Sequence, residues 1–175
     1  ATFHPRFAGG LRTYLDAGAS IVTTPQNELY IRKILETPTR LVPEAPSVEV
    51  DAEDIVLVDG KTTFGERDNR LVLYDIGERS ASTESYLVGW HPATRIMLTS
   101  DLFAVLDTGM VRGASLRTQG LAIWLGETGL EPLQFIPTSP VVDHKRIMLM
   151  EDLEDSLQAI PGGPPQIGPQ EPGGE

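Results

Sequence analysis

Three histidines, one strand-end aspartate and a serine-rich loop are the residues of this sequence best suited to chemistry. His4 stands in Thr2-Phe3-His4-Pro5-Arg6, His91 in Trp90-His91-Pro92 and His144 in Asp143-His144-Lys145-Arg146. An imidazole can ligate a metal or carry a proton near neutral pH. His4 beside Pro5 also suits a hydrogen-bonded loop, His144 the first turn of a helix, and His91 a solvated hairpin tip. Asp101 closes the run Ile96-Met97-Leu98-Thr99-Ser100. A carboxylate there can ligate a metal, act as a general base, or cap the following turn. Ser80-Ala81-Ser82-Thr83-Glu84-Ser85 offers hydroxyls. No G-x-S-x-G elbow and no histidine at a triad spacing accompany it, so a serine nucleophile is not expected. Arg6, Arg12 and Arg32 could draw an anion, although Arg12 and Arg32 read as solvated helix positions. Gly9-Gly10 alone makes no phosphate loop. The absence of cysteine excludes disulfides, thiolate metal sites and a cysteine nucleophile.

The elements that must position these residues follow from periodicity. Leu11, Tyr14 and Leu15 share one helical face, and Gly18 suits a helix stop, so a short helix is expected over 8–18. Residues 19–23 read as a strand. Thr24-Pro25 is an N-cap followed by proline at the first helical position, which starts a helix running through Leu35. Three prolines between 38 and 54 mark a surface excursion. The period then changes to two: residues 55–58, the turn dipeptide Asp59-Gly60 and residues 61–64 predict a hairpin. Residues 70–76 predict a strand, and 85–91 with 95–99 a second hairpin about Pro92-Ala93-Thr94. A helix is expected from about Ser115 to Leu125 and a last strand at 133–136. Asp143 is placed to cap a closing helix carrying Ile147, Met150, Leu153 and Leu157.

Composition bounds the function classes. At 175 residues, 40% hydrophobic and 22% charged, the chain can build one domain with a sizeable core, here placed at 1–160. The last fifteen residues, 161–175, hold five prolines and five glycines, so a disordered tail is expected there. The net charge of -11 repels a phosphate backbone, and nucleic acid is not an expected partner. No apolar run approaches the roughly 18 residues of a membrane span, and no charged-then-apolar leader stands at Ala1. Neither a membrane span nor a signal segment is expected, and the compartment stays open.

Three stretches, in order, resemble the metallo-β-lactamase superfamily. The first is Thr2-Phe3-His4-Pro5-Arg6-Phe7-Ala8-Gly9-Gly10-Leu11, where family members carry H-x-H-x-D-H-x-G-G-L before a helix, a small-residue turn and a strand. The second runs from Asp75-Ile76-Gly77 through Ser82 to Tyr86-Leu87-Val88-Gly89-Trp90-His91-Pro92, where the family places its third metal histidine. The third, Arg95 to Phe103, looks like the family strand whose terminal aspartate bridges two metals. The resemblance covers about residues 2–155.

This resemblance implies an α/β fold, an αββα sandwich of mostly antiparallel strands with outer helices. It is partial here, because the strands that precede the first motif in the family have no counterpart. It also implies a metal-activated water, against which the substitutions weigh heavily. Thr2, Arg6 and Phe7 stand at ligand positions of the first motif, Ser82 or a neighbouring hydroxyl at the third histidine, and Ser139 or Thr138 at the last. Phe7 has no lone pair and Arg6 is a permanent cation. His4 and Asp101 remain as ligands, with His144 a substitute near the lost last histidine. The expectation is a non-catalytic, metal-poor relative of these hydrolases acting as a structural or interaction subunit, with no cofactor. Its exposed sheet would be covered by a protein partner or by self-association. The alternative is a fragment or divergent form of a metal-dependent hydrolase with a weak zinc or iron site. A small-anion module built on Arg6 is a third reading.

Overall fold

The computed structural model describes residues 10–36, 51–108, 110–138 and 143–161. His4, Arg6, Phe7, Ser139 and almost all of the Pro/Gly-rich tail lie outside the described residues.

The elements fall into two groups, each with its own sheet. The first begins with α1 (Leu11–Asp16), β1 (Ile21–Thr23), α2 (Pro25–Glu36) and, after a 3-10 turn, β2 (Ile55–Leu57). β1 and β2 pair in parallel, Ile21 opposite Ile55. Leu15, Ile21, Ile31, Leu35 and Ile55 form the apolar cluster between this small sheet and its two helices. Pro25 starts α2 as its spacing predicts: the Asn27 N–H donates to the Thr24 carbonyl at 3.0 Å.

The second group is a six-stranded sheet in the order β3 (Lys61–Phe64), β4 (Leu71–Asp75), β5 (Leu87–His91), β6 (Ile96–Leu98), β7 (Gln134–Ile136), β8 (Met148–Leu149). Only β6 and β7 run parallel; the other neighbours are antiparallel. A crossover through α3 (Leu116–Thr128) separates β6 from β7, and α4 (Met150–Gln158) follows β8 directly. Val72, Val88, Trp90, Met97 and Phe135 from the sheet meet Leu121, Trp124 and Leu125 of α3 and Leu153 of α4. Met97, Leu121, Phe135 and Met148 are fully buried. Each such side chain contributes about 2 kcal/mol of hydrophobic stabilisation. Phe103 meets Phe135 edge-on, with ring centroids 5.5 Å apart.

The expected α/β class, with a mostly antiparallel sheet and helices packed on it, is the one observed. Three local expectations are corrected. Residues 55–64 do not form a hairpin. Asp59-Gly60 does bend the chain, with Gly60 at φ +70, but β2 pairs with β1 and β3 with β4. The turn hands the chain from one sheet to the other, held by the Val58 N–H on the Thr23 carbonyl (2.8 Å) and the Asp75 N–H on the Gly60 carbonyl (2.8 Å). Asp143 does not cap the closing helix; it sits in a turn at φ +66. Met148 and Leu149 are drawn onto β7 as a further strand, so 133–136 is not the last one. The helix starts at Met150, where the Asp152 carboxylate accepts the Leu149 N–H at 2.8 Å and holds Lys145 Nζ at 2.7 Å.

No helix among the described residues is long and apolar enough to cross a membrane.

Candidate functional site

Asp101 stands where β6 runs out. The Thr99 N–H donates to the Ile136 carbonyl at 3.1 Å, tying the strand end to β7, and the Leu102 N–H closes a turn onto the Thr99 carbonyl. Ser100, at φ +51, swings the carboxylate out of the sheet. Two residues meet it there. Arg117, the second residue of α3, donates from Nη1 to Oδ2 at 2.8 Å and from Nη2 to Oδ1 at 2.9 Å. Tyr86, just ahead of β5, donates its hydroxyl to Oδ1 at 2.5 Å and accepts the Asp101 N–H at 3.3 Å. The guanidinium also lies over the Tyr86 ring, 5.3 Å from its centroid. α3 is fixed for this task by Ser115, whose side chain caps it by accepting the Thr118 N–H at 3.2 Å. The Thr118 hydroxyl in turn donates to the Leu102 carbonyl at 2.9 Å.

The electrostatics follow from that geometry. The Arg117 guanidinium, with help from the Tyr86 hydroxyl, holds the Asp101 carboxyl below the usual carboxylate range, against a partial desolvation that acts the other way. Burial and the adjacent Asp101 charge push the Tyr86 phenol up. Arg117 is held more firmly in its charged form by Asp101.

Beside this network lies a cleft of about 210 Å³. Asp101 and His144, two of the three candidate ligands, both line it, together with residues 102–106, Arg112 and Ser115. The backbone of His144 bridges that of Leu106, which brings the 143–145 turn to the rim. His144 is thus part of a β-bridge and not of a helix's first turn.

Most of the remaining candidates among the described residues make structural contacts. The fully buried Ser80 hydroxyl donates to the Thr83 carbonyl and accepts the Thr83 N–H, folding its loop on itself. Ser82 is exposed. Ser85 donates to the Thr24 hydroxyl at 2.5 Å, and Asn27 Nδ2 donates to the same oxygen at 3.0 Å. These buried hydrogen bonds join the start of α2 to the chain ahead of β5, one group to the other. Arg12 donates to the Ile34 carbonyl near the end of α2, and Arg32 pairs with Glu28 at 2.9 Å. His91 Nδ1 lies 2.7 Å from the Thr94 hydroxyl in the β5–β6 turn.

Arg117 and Tyr86 are the site residues that sequence reasoning missed. Tyr86 sits in an apolar run and reads as core, and Arg117 reads as one more solvated helix cation. Nothing short of the tertiary fold brings them to Asp101.

The donor set can be tested against a metal. A catalytic zinc wants three protein ligands and an open water position. Among the described residues no three or more of His, Asp and Glu gather within reach of one ion. Both oxygens of Asp101 already accept charge-assisted or hydroxyl hydrogen bonds, and a guanidinium lies where a cation would be drawn. The described residues do not fit a metal at Asp101.

No family model matches the sequence, and no curated protein is significantly similar to it. Solved structures do match. A metallo-β-lactamase from Pontibacter korlensis superimposes with a TM-score of 0.54 at 17% identity, over 90% of this chain and 65% of that one. A chemotaxis sensor, ODP, solved as a peroxy diiron species, gives 0.54 at 13% identity over 87% and 64%. The metal-soaked Flv1 flavodiiron core from Synechocystis gives 0.55 at 14% identity over 89% and 41%. The chain thus spans less than two thirds of the length of each. At these identities the likeness carries architecture and not activity, and it agrees with the two groups of elements described above: the chain has the metallo-β-lactamase fold.

Proposed function

We propose that this chain is a metal-poor, non-catalytic relative of the metallo-β-lactamase-fold hydrolases that serves as a structural or interaction subunit. The observation that carries the reading is the occupied carboxylate of Asp101. A residue that could ligate a metal instead accepts two hydrogen bonds from Arg117 and one from Tyr86. An ion at that carboxylate would have to displace a guanidinium held in a bidentate fork.

The interaction half of the reading draws support from the small sheet. Among the described residues β1 and β2 pair only with each other. Parallel strands normally lie inside larger sheets, and the uncharged, β-branched Ile21-Val22-Thr23 carries none of the charges or prolines that guard a free edge. A further strand from a protein partner or a second copy would complete it.

Elemental analysis of protein purified without chelator, with calorimetric titration of zinc and iron(II), tests the metal half. The expected result is far less than one metal per chain and no saturable binding at micromolar ion. Near one zinc or iron per chain, lost together with a hydrolase activity on Asp101→Asn or His4→Gln, would overturn the proposal in favour of a metal-dependent hydrolase.

A further inference from the structure

Successive side chains of a strand point to opposite faces, and in the six-stranded sheet both faces are apolar. One carries Val72, Val88, Trp90, Met97, Phe135 and Met148 against α3 and α4. On the other, Leu73, Gly89, Leu98 and Ile136 are register partners and form one row across four strands. Beside that row lie Phe64 with Leu71, and Ile96 with Gln134 and Leu149. Leu149 is exposed and the other apolar side chains of this face are half-buried. None of them belongs to either apolar cluster, and no element of the first group packs extensively on β4–β7. Within these strands the one charged side chain on this face is Asp75, at its end, where the carboxylate accepts the Gly77 and Tyr86 N–H groups. An antiparallel sheet with one face in water is ordinarily polar on that face. This one is not.

We infer that the outer face of the six-stranded sheet is the contact surface of a reversible homodimer, in which two copies of the chain stack these sheets face to face.

Layering, charge and area select a second copy. A sheet with two apolar faces needs a layer on each. Helices supply one, and the first group offers only two strands among the described residues, too few to cover six. Aligned sheets pack about 30° apart when their twists agree, and a second copy has the same twist and the same six strands. The chain carries a net charge of -11, so copies meeting through their acidic surfaces would repel; stacking through this face keeps almost every carboxylate out of the contact. A basic partner would find nothing to grip there but Asp75. At strand spacing and rise the face projects about 350 Å² per copy. That lies in the range of weak, transient interfaces, which fits a reversible dimer. The inference rests on the interaction half of the proposed function, but it uses a surface apart from the β1–β2 edge.

The test is sedimentation velocity of the full chain from about 1 to 200 µM, in low and high NaCl. The expected result is a monomer–dimer equilibrium in the micromolar range, at least threefold tighter at high salt, because salt screens the repulsion between acidic copies and leaves an apolar contact intact. Leu73→Lys and Leu98→Lys should keep the wild-type circular dichroism and weaken the dimer at least tenfold. Leu149→Lys, at a position 41% exposed, gives the same readout should either of those fail to fold. Leu116→Lys, 72% exposed on α3, should leave the dimer unchanged. A dimer indifferent to the three sheet variants, or broken equally by Leu116→Lys, would overturn the inference. So would a monomer at every concentration. If that monomer binds anilinonaphthalene sulfonate and loses at least half the fluorescence in Leu98→Lys, the face is open to some other partner and the interaction reading stands. A monomer that binds no dye overturns the inference and that reading together.

Discussion

Arg117 grips Asp101 through both terminal nitrogens, at 2.8 and 2.9 Å, across sixteen residues of chain. The pair ties the first turn of α3 to the end of β6. It does so at a half-buried site, with side-chain exposures of 26% and 36%, so solvent screens part of the attraction. Isolated surface pairs contribute about 0–1 kcal/mol; a bidentate fork with a tyrosine hydroxyl on the same carboxylate belongs somewhat above that range.

Removing both partners should therefore cost less than the two single removals added together. Arg117→Gln leaves Asp101 with the Tyr86 hydroxyl but no cation, and should destabilise the fold by about 1–2 kcal/mol. Asp101→Asn should cost a similar amount. The double variant should lose clearly less than the two single losses added together, since the cycle removes one shared interaction. Urea unfolding of the four proteins at neutral pH measures this; strict additivity would mean that the pair is not formed in solution.

The same pair sets an acid limb. Asp101 is held below its ordinary value of 3.8, chiefly by the Arg117 hydrogen bonds. A depressed carboxyl stabilises the folded state at any pH above its unfolded value, and that contribution is lost as pH falls through the folded value. Wild-type protein should lose stability below about pH 4, and Asp101→Asn should show a smaller loss over the same window. Thermal midpoints from pH 6 to pH 2 compare the two, and coincident slopes would count against the pair.

Tyr86 sets the opposite limb. Its phenol is pushed above 10.0, first by burial. A raised acid contributes stability that is complete below the unfolded value and is lost as pH climbs toward the folded one. Stability should fall above about pH 10, and Tyr86→Phe should flatten that fall while lowering stability at neutral pH by about 1 kcal/mol for the lost hydrogen bond. An alkaline limb unchanged in Tyr86→Phe would assign it to other tyrosines or lysines.

What the sequence made legible is whatever local chemistry decides. Asp101 is recognisable as a strand-end carboxylate because the apolar run before it can only be a strand, and Ser115 to Leu125 reads as a helix from its own spacing. Asp59-Gly60 shows where local rules stop. The dipeptide specifies a reversal and nothing about which strand lies next to Ile55, and the winning partner is Ile21, 34 residues earlier. Met148 and Leu149 fall within the expected closing helix yet serve as a strand, because the open side of β7 offers backbone partners that periodicity does not record. The site failed for the same reason. Its carboxylate was visible, but its partners are set by the tertiary fold, fifteen and sixteen residues away.

Two glycines test how α3 is seated, the element on which Arg117 depends. Gly120 lies inside the helix, where alanine would ordinarily gain about 1 kcal/mol in propensity. A Cβ built there falls 1.8 Å from the Arg79 carbonyl oxygen, and that contact is with backbone, which cannot step aside. The helix therefore lies directly on the Gly77–Ser80 turn, braced by the ion pair of Arg79 with Glu127. Gly120→Ala should cost about 3 kcal/mol, the upper part of the overpacking range. Gly129 ends the helix at φ +66 with open space around it. Gly129→Ala should cost only the conformational strain, about 1 kcal/mol. Urea midpoints of the two variants, measured side by side, decide the matter. A Gly120→Ala protein as stable as wild type would show that α3 stands off the turn, and the position of Arg117 against Asp101 would then have to be reconsidered.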